Sequence, residues 1–462
     1  MKSFSKRLSA ITSFLSASPA RTAVISFAVV IAVGTMLLML PVSSEQGAWT
    51  SPVDALFTAT SAVCVTGLIV KQTPTYWSTF GELVILTLIQ AGGLGIMTVS
   101  AFLAVIIRRR LSISFESMMT DIVESDRTET VWSLVRFICL FTLVAEVIGA
   151  VCLYLSWEQD AGFWHRAYVS IFHAISAFCN AGFSLYNDSL VRYSGSIPVN
   201  AVVCTLIVVG GIGFLVVRDI KHYVNWFLFE RKGKRPRLST HSKLVLMVTV
   251  LLLVGGGLCI FAIESSGEMA DAPLRERVLT SIFQSVTPRT AGFNTVDIGA
   301  QSLAASTAFL LIVLMFIGGS PGSTAGGIKT STLGVMISSI IATLKARSKA
   351  EMFHHSIQEE TVHRVASIIL LSAAALMTGI FLLLITDAHQ ASFLEIAFEA
   401  TSAFGTVGLS MGLTFDLTEW GKLIITVLMF IGRLGPVTLV LSVGAMEDKT
   451  PYRYPDGQVW VG

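Results

Sequence analysis

Long, nearly uncharged apolar stretches recur along the chain at residues 24–41, 83–107, 134–155, 199–217, 244–263, 305–317, 365–385 and 423–443. A helix rises about 1.5 Å per residue, so about 20 mostly apolar residues cross the hydrocarbon of a bilayer. The pattern predicts an all-α integral membrane protein with eight full spans. Shorter apolar runs of 10 to 13 residues begin near Asp54, Trp164, Leu274 and Ser392. These are too short to cross and suit re-entrant half-helices. Non-helical backbone at membrane depth survives only where it is buried in protein or lines a cavity.

Each short run ends in a loop of small residues closed by a glycine. The four read TATSAVCVTGLIV (58–70), HAISAFCNAGFSL (173–185), QSVTPRTAGFNTV (284–296) and EATSAFGTVGLSM (399–411). Aligned on Gly67, Gly182, Gly292 and Gly408, they recur at intervals of 110 to 116 residues. A second pattern recurs in the spans that follow, as AGGLG (91–95), VGGIG (209–213), IGGSPG (317–322) and IGRLG (431–435). Glycines in membrane helices usually mark close helix packing. Four in register, each behind a half-helix, point instead to one unit of span, half-helix, loop and span used four times around a pseudo-fourfold central pore. The repeats are read as residues 1–126, 127–239, 240–350 and 351–462.

Thr406-Val407-Gly408 is the tripeptide that opens the TVGYG loops of potassium-channel filters, where backbone carbonyls replace an ion's hydration shell. The equivalent triplets are Val65-Thr66-Gly67, Asn180-Ala181-Gly182 and Thr290-Ala291-Gly292. These twelve residues form the candidate filter, with K+ as the metal held at their backbone carbonyls. Aiming successive carbonyls inward needs unusual backbone angles, hence the shared glycine. The half-helices point their C-terminal ends at the loops, and each end carries roughly half a negative charge, which favours a cation. Leu68, Phe183, Phe293 and Leu409 follow the glycines, so no loop continues as TVGYG. A weaker discrimination than in a fourfold-identical channel is expected.

The span after the third loop is interrupted by Gly318, Gly319, Ser320, Pro321, Gly322, Ser323, Thr324, Ala325, Gly326 and Gly327. Five glycines and a proline in ten residues do not continue a helix. The segment is either a linker between two short helices or a movable barrier below the loops, and it is taken as a gate. Arg433 stands where Gly93, Gly211 and Gly319 stand in the other units. An arginine in mid-span costs about 3 kcal/mol or more and is by default functional. It is assigned to the gate, either repelling cations or pairing with the gate loop, with a buried ion pair as the structural alternative. Glu146 and Glu399 are packing partners or part of a second cation site, and Asp54 reads as a helix N-cap.

Charge sets the orientation. Only 13% of residues are charged, and 23 of the 32 Lys and Arg fall in alternate connections at 1–22, 108–132, 218–243, 329–364 and 445–462. By the positive-inside rule these segments and both termini are cytoplasmic. The run ERKGKRPR (230–237) could meet anionic lipid or an acidic partner. All six cysteines lie in or beside apolar segments and read as packing residues.

DALFTATSAVCVTGL, FHAISAFCNAGF, RTAGFN, FEATSAFGTVGL, IGGSPGSTAGGIKTST and IGRLGP together resemble the Trk/Ktr/HKT superfamily of potassium transporters over nearly the whole chain, most closely the bacterial Ktr membrane subunits. The first loop comes too early for the two extra N-terminal helices of the Trk branch. The resemblance implies a potassium-uptake subunit in the bacterial cytoplasmic (inner) membrane and a homodimer, each subunit with its own pore. It also implies a cytoplasmic ring of nucleotide-binding regulatory subunits. Potassium is the expected ion, with sodium co-transported or modulatory, and no organic cofactor is expected in this chain. The tail PYRYPDGQVWVG resembles the Ktr C-terminus and is expected at the dimer interface. The alternative is an alternating-access carrier for another cation or a small organic solute, disfavoured because no inverted repeat pair is visible. No HExxH, GxSxG or paired-acid constellation points to an enzyme, and nucleic acid is not an expected partner.

Overall fold

The computed structural model describes residues 19–95, 131–157, 162–229, 236–267, 269–299 and 303–443. The architecture is helical. In chain order the helices of eight or more residues are α1 (Pro19–Met39), α2 (Pro52–Val63), α3 (Thr79–Leu94), α4 (Val131–Ser156), α5 (Phe163–Phe178), α6 (Ile197–Gly211), α7 (Phe214–Phe229) and α8 (Thr240–Glu264). They continue as α9 (Leu274–Val286), α10 (Ala305–Phe316), α11 (Thr330–Leu344), α12 (Glu359–Thr386), α13 (Phe393–Gly405), α14 (Glu419–Leu434) and α15 (Pro436–Val443). Two-residue strands β1 (Glu351–Met352) and β2 (His355–Ser356) pair antiparallel between α11 and α12.

The four expected half-helices are α2, α5, α9 and α13, of 12, 16, 13 and 13 residues. Their starts are written locally. Pro52 supplies the fixed φ of a first helical position, and Ser392 closes a reciprocal capping box with Glu395. These short helices form the core. Phe57, Phe172, Phe178, Phe283, Phe398 and Phe404 are fully buried and all lie on them. The outer helices do the reverse. On α4, Leu140, Leu143, Val147 and Val151 are each more than half exposed, the pattern of a helix whose solvent is hydrocarbon.

Among the described residues, the helices at Val135–Ser156, Thr240–Glu264 and Glu359–Thr386 are long and apolar enough to cross a bilayer alone. The pair α6 and α7 passes that test together but bends by 104°. The eight full spans expected from hydropathy are therefore not all continuous helices. The apolar stretches at 199–217 and 423–443 break at Gly213 and Gly435, which hold φ of 93° and 82°. An α-helix cannot pass through such angles. The stretch at 305–317 stops at Phe316, and the second half of 83–107 lies outside the described residues, as do ERKGKR at 230–235 and the C-terminal tail.

Asp54 is not the N-cap expected of it. Ser51 holds that position, and Asp54 sits in the first turn of α2. Its carboxylate accepts from Lys422 of α14 at 2.7 Å and lies 3.6 Å from Lys71. It ties the first half-helix to the last long helix. Asp54→Ala leaves the Lys422 ammonium, only 16% exposed, without its hydrogen-bond partner, at a cost of about 1–3 kcal/mol. The expected result is a lower thermal midpoint in detergent, and Lys422→Ala in the Asp54→Ala background should add little to it.

Candidate functional site

Each half-helix ends in one residue of left-handed backbone. Val65, Asn180, Thr290 and Thr406 hold φ of 56°, 61°, 70° and 51°. Asn tolerates this region, but a β-branched residue there is an outlier, and three of the four are β-branched. Such strain costs on the order of 1–3 kcal/mol per residue and persists only where the surroundings fix it. Two residues on, Gly67, Gly182, Gly292 and Gly408 are left-handed again at 92°, 70°, 74° and 93°. The same irregular sequence of angles is thus built four times at positions 110 to 116 residues apart.

The four glycines meet. A Cβ added to Gly67 would stand 2.5 Å from the Ala181 carbonyl oxygen, and one on Gly182 would stand 2.9 Å from that of Ala291. One on Gly292 would stand 2.5 Å from the Val407 oxygen, and one on Gly408 would stand 2.1 Å from the Thr66 oxygen. Loop one faces two, two faces three, three faces four, and four closes on one. The side chains of Thr66, Ala181, Ala291 and Val407 are fully buried, so the ring presents backbone. Four helix C-termini end immediately behind it, each with roughly half a negative charge.

A hydroxyl braces every loop from the last turns of its half-helix. Ser61 and Ser402 accept from the Gly67 and Gly408 N–H groups, each at 3.0 Å. Ser176 and Thr287 donate to the Phe183 and Phe293 carbonyls at 2.8 and 2.5 Å. These four residues were missed by sequence reasoning, although Ser61, Ser176 and Ser402 each stand six residues before their glycine in the quoted motifs and Thr287 stands five before its own. The helices after the loops pack close. A Cβ on Gly92, Gly210 or Gly432 would fall within 1.9 Å of the carbonyl of Val63, Phe178 or Phe404, so no other residue fits.

On one side the ring floors an open cavity of about 490 Å³ that all four glycines line. Asp188 lies on its wall. Hydrogen bonds from Arg192, at 2.7 and 3.0 Å, hold that carboxyl below its ordinary range. On the other side lies the segment 318–327. It folds back so that Ile317 and Ile328 pair, with the Gly318 N–H on the Ile328 carbonyl at 2.8 Å. The Ser320 N–H donates to Gly211, and the Thr324 hydroxyl donates to Phe178 at 3.2 Å. Gly326 lies against Thr406 so tightly that a Cβ would fall 2.1 Å from its hydroxyl oxygen. The segment is a loop seated under the ring.

Arg433 holds it there. Its guanidinium donates to the Thr324 carbonyl of the loop and to the Gly92 carbonyl at the end of α3. The guanidinium pairs with the loop, and both acceptors are carbonyls rather than the carboxylate of a buried ion pair. Lys329, counted from sequence among the cytoplasmic cations, donates to the Ala325 carbonyl at 2.7 Å and is a second cation on the same loop. Glu146 accepts from Gln90 at 3.0 and 3.1 Å, and Glu399 accepts from Ser410 and, at 2.9 Å, from Thr414. Both acids have packing partners.

The sequence profile of the TrkH family, described as cation transport proteins, matches residues 3–450. The chain is 40% identical over 450 residues to the potassium/sodium uptake protein NtpJ of Enterococcus hirae, covering 96% of this chain and 97% of that one. It is also 40% identical over 448 residues to the Ktr system potassium uptake protein B of Bacillus subtilis, with 96% and 97% covered. The fold matches the crystal structure of the potassium transporter TrkH from Vibrio parahaemolyticus with a TM-score of 0.70 at 19% identity, over 91% of this chain and 83% of that one. With a profile match over nearly its whole length and relatives at 40% identity, this chain belongs to the TrkH family of cation transport proteins.

Proposed function

We propose that the chain is a potassium-uptake subunit in which K+ crosses a four-loop filter and then a gate formed by residues 318–327 and Arg433. The observation that carries the reading is the cyclic closure of Gly67, Gly182, Gly292 and Gly408. Four loops from one chain surround one axis with backbone oxygens, which suits a dehydrated cation. The twelve filter residues, the four repeats at 1–126, 127–239, 240–350 and 351–462, and the eight spans belong to this proposal. So do a bacterial inner-membrane location with cytoplasmic termini, a homodimer, and a cytoplasmic nucleotide-binding regulatory ring. The names of the relatives support potassium and sodium as the ions.

The loop lies directly beneath the ring and contacts it through Gly326 and Thr406. A partner pulling on the α11–α12 connection would act on the loop through α11, which begins two residues beyond Ile328. An alternating-access carrier would hold its solute in the cavity of about 490 Å³ above the ring; the closed ring of backbone carbonyls that floors this cavity favours a dehydrated cation instead.

The test is rubidium uptake in a potassium-uptake-deficient bacterium expressing the chain with its regulatory partner, with and without sodium. Gly292→Ser puts a side chain 2.5 Å from the Val407 carbonyl at a φ of 74°. The expected result is uptake by wild type and a KM for potassium raised at least tenfold in the variant. Equal KM values would make the loops packing devices and move the carrier to the front.

A further inference from the structure

Beside the seated loop lies a cavity of about 360 Å³ outside the proposed ion path, bounded by α10, α11, α12 and α13. Its wall is apolar except for Thr401, whose hydroxyl already donates to the Ala397 carbonyl at 2.7 Å. No polar group is left to hold a water, and such a space stays dry or takes apolar matter. At its rim Met377 is 63% exposed and Val313 44%, while Leu376 at its floor is 8% exposed. The cavity therefore opens sideways past α12, a helix long and apolar enough to cross a bilayer. What bathes that opening in a membrane is lipid tail. Its inner edge is Ile317 and Ile328, the paired neck of the 318–327 loop.

We propose that this cavity binds one acyl chain of a bilayer phospholipid, and that the chain, packed against the Ile317–Ile328 neck, holds the loop seated. The coupling to transport rests on the reading of the loop as a gate, whereas the binding does not.

The experiment uses the full chain in phosphatidylcholine–phosphatidylglycerol vesicles containing a phosphatidylcholine with a diazirine in its acyl chain. Adducts are mapped by peptide mass spectrometry. The expected result is labelling of Phe316 and Leu376 that falls at least fivefold in Ala373→Phe, which fills the cavity from α12. Labelling of Leu370, 71% exposed on the outer face, should stay the same. If Ala373→Phe does not insert into the membrane, Ala373→Leu serves with the same readout. Equal labelling of the floor in both proteins, labelling confined to Leu370, or cross-links to a second copy at the same residues would overturn the site. Rubidium flux in vesicles of differing acyl-chain length reads the coupling. It should vary at least threefold for wild type and stay flat for Ala373→Phe. Flux that ignores chain length in both proteins overturns the coupling and leaves the site. Absence of flux in both counts against the pore, and the adduct map still decides the binding.

Discussion

Gly408→Ala should abolish uptake, lowering kcat/KM for potassium more than 100-fold while the protein still reaches the membrane in normal amount. Two costs fall on one atom. The new Cβ would lie 2.1 Å from the Thr66 carbonyl oxygen, a contact that side chains do not make, and the residue must hold a φ of 93°. The left-handed backbone alone costs an alanine roughly 1–2 kcal/mol. The clash can be relieved only by moving loop one or loop four, and either movement opens the ring. Gly47→Ala separates the two costs. Gly47 also has a positive φ, 67°, but nothing lies within 4 Å of its added Cβ. It should lose about a kilocalorie of stability and keep uptake within twofold. The reading fails if Gly408→Ala transports normally, or if Gly47→Ala is as inactive as Gly408→Ala.

Arg433→Ala should raise the uptake rate roughly tenfold and make it independent of the regulatory partner. The arginine spans from the loop carbonyl of Thr324 to the Gly92 carbonyl of α3. Hydrogen bonds to charged groups contribute about 1.5–3 kcal/mol each. Water in the path would recover part of that on the freed carbonyls, and a net loss of about 1.4 kcal/mol is a tenfold change in loop population. Arg433→Lys divides charge from shape. A lysine keeps the positive charge but has no planar fork, so it reaches one carbonyl and should fall between wild type and alanine. The measurement is rubidium uptake with and without the partner. If alanine and lysine both lower uptake and neither changes its dependence on the partner, Arg433 is a structural strut and not a latch.

How much of this was legible beforehand differs from residue to residue. The half-helices were plain, because a short apolar run between two long ones has few other uses in a membrane protein. The four glycines were found by the small-residue loop behind each short run and supported by their even spacing, and the left-handed φ at each is what glycine at that place implies. The bracing hydroxyls Ser61, Ser176, Thr287 and Ser402 were printed in the same motifs but passed over, since a serine before a glycine looks like filler until its partner is seen. Asp54 was misassigned because a lone acid near a helix start looks like a cap, and its true partner, Lys422, lies 368 residues away.

The sequence by itself determined what is periodic and local: the apolar helical class, the short helices, the four glycine loops behind them, and the residues able to adopt left-handed backbone. Hydrophobicity and glycine chemistry act over a few residues, and their repetition survives in one dimension. Only the tertiary structure decided the order in which the glycines face one another, the breaks at Gly213 and Gly435, and the choice of carbonyls over a carboxylate for Arg433. Those are contacts between segments about a hundred residues or more apart, or angles imposed by them. No local preference encodes which carbonyl, of many alike, will stand within reach of a given side chain.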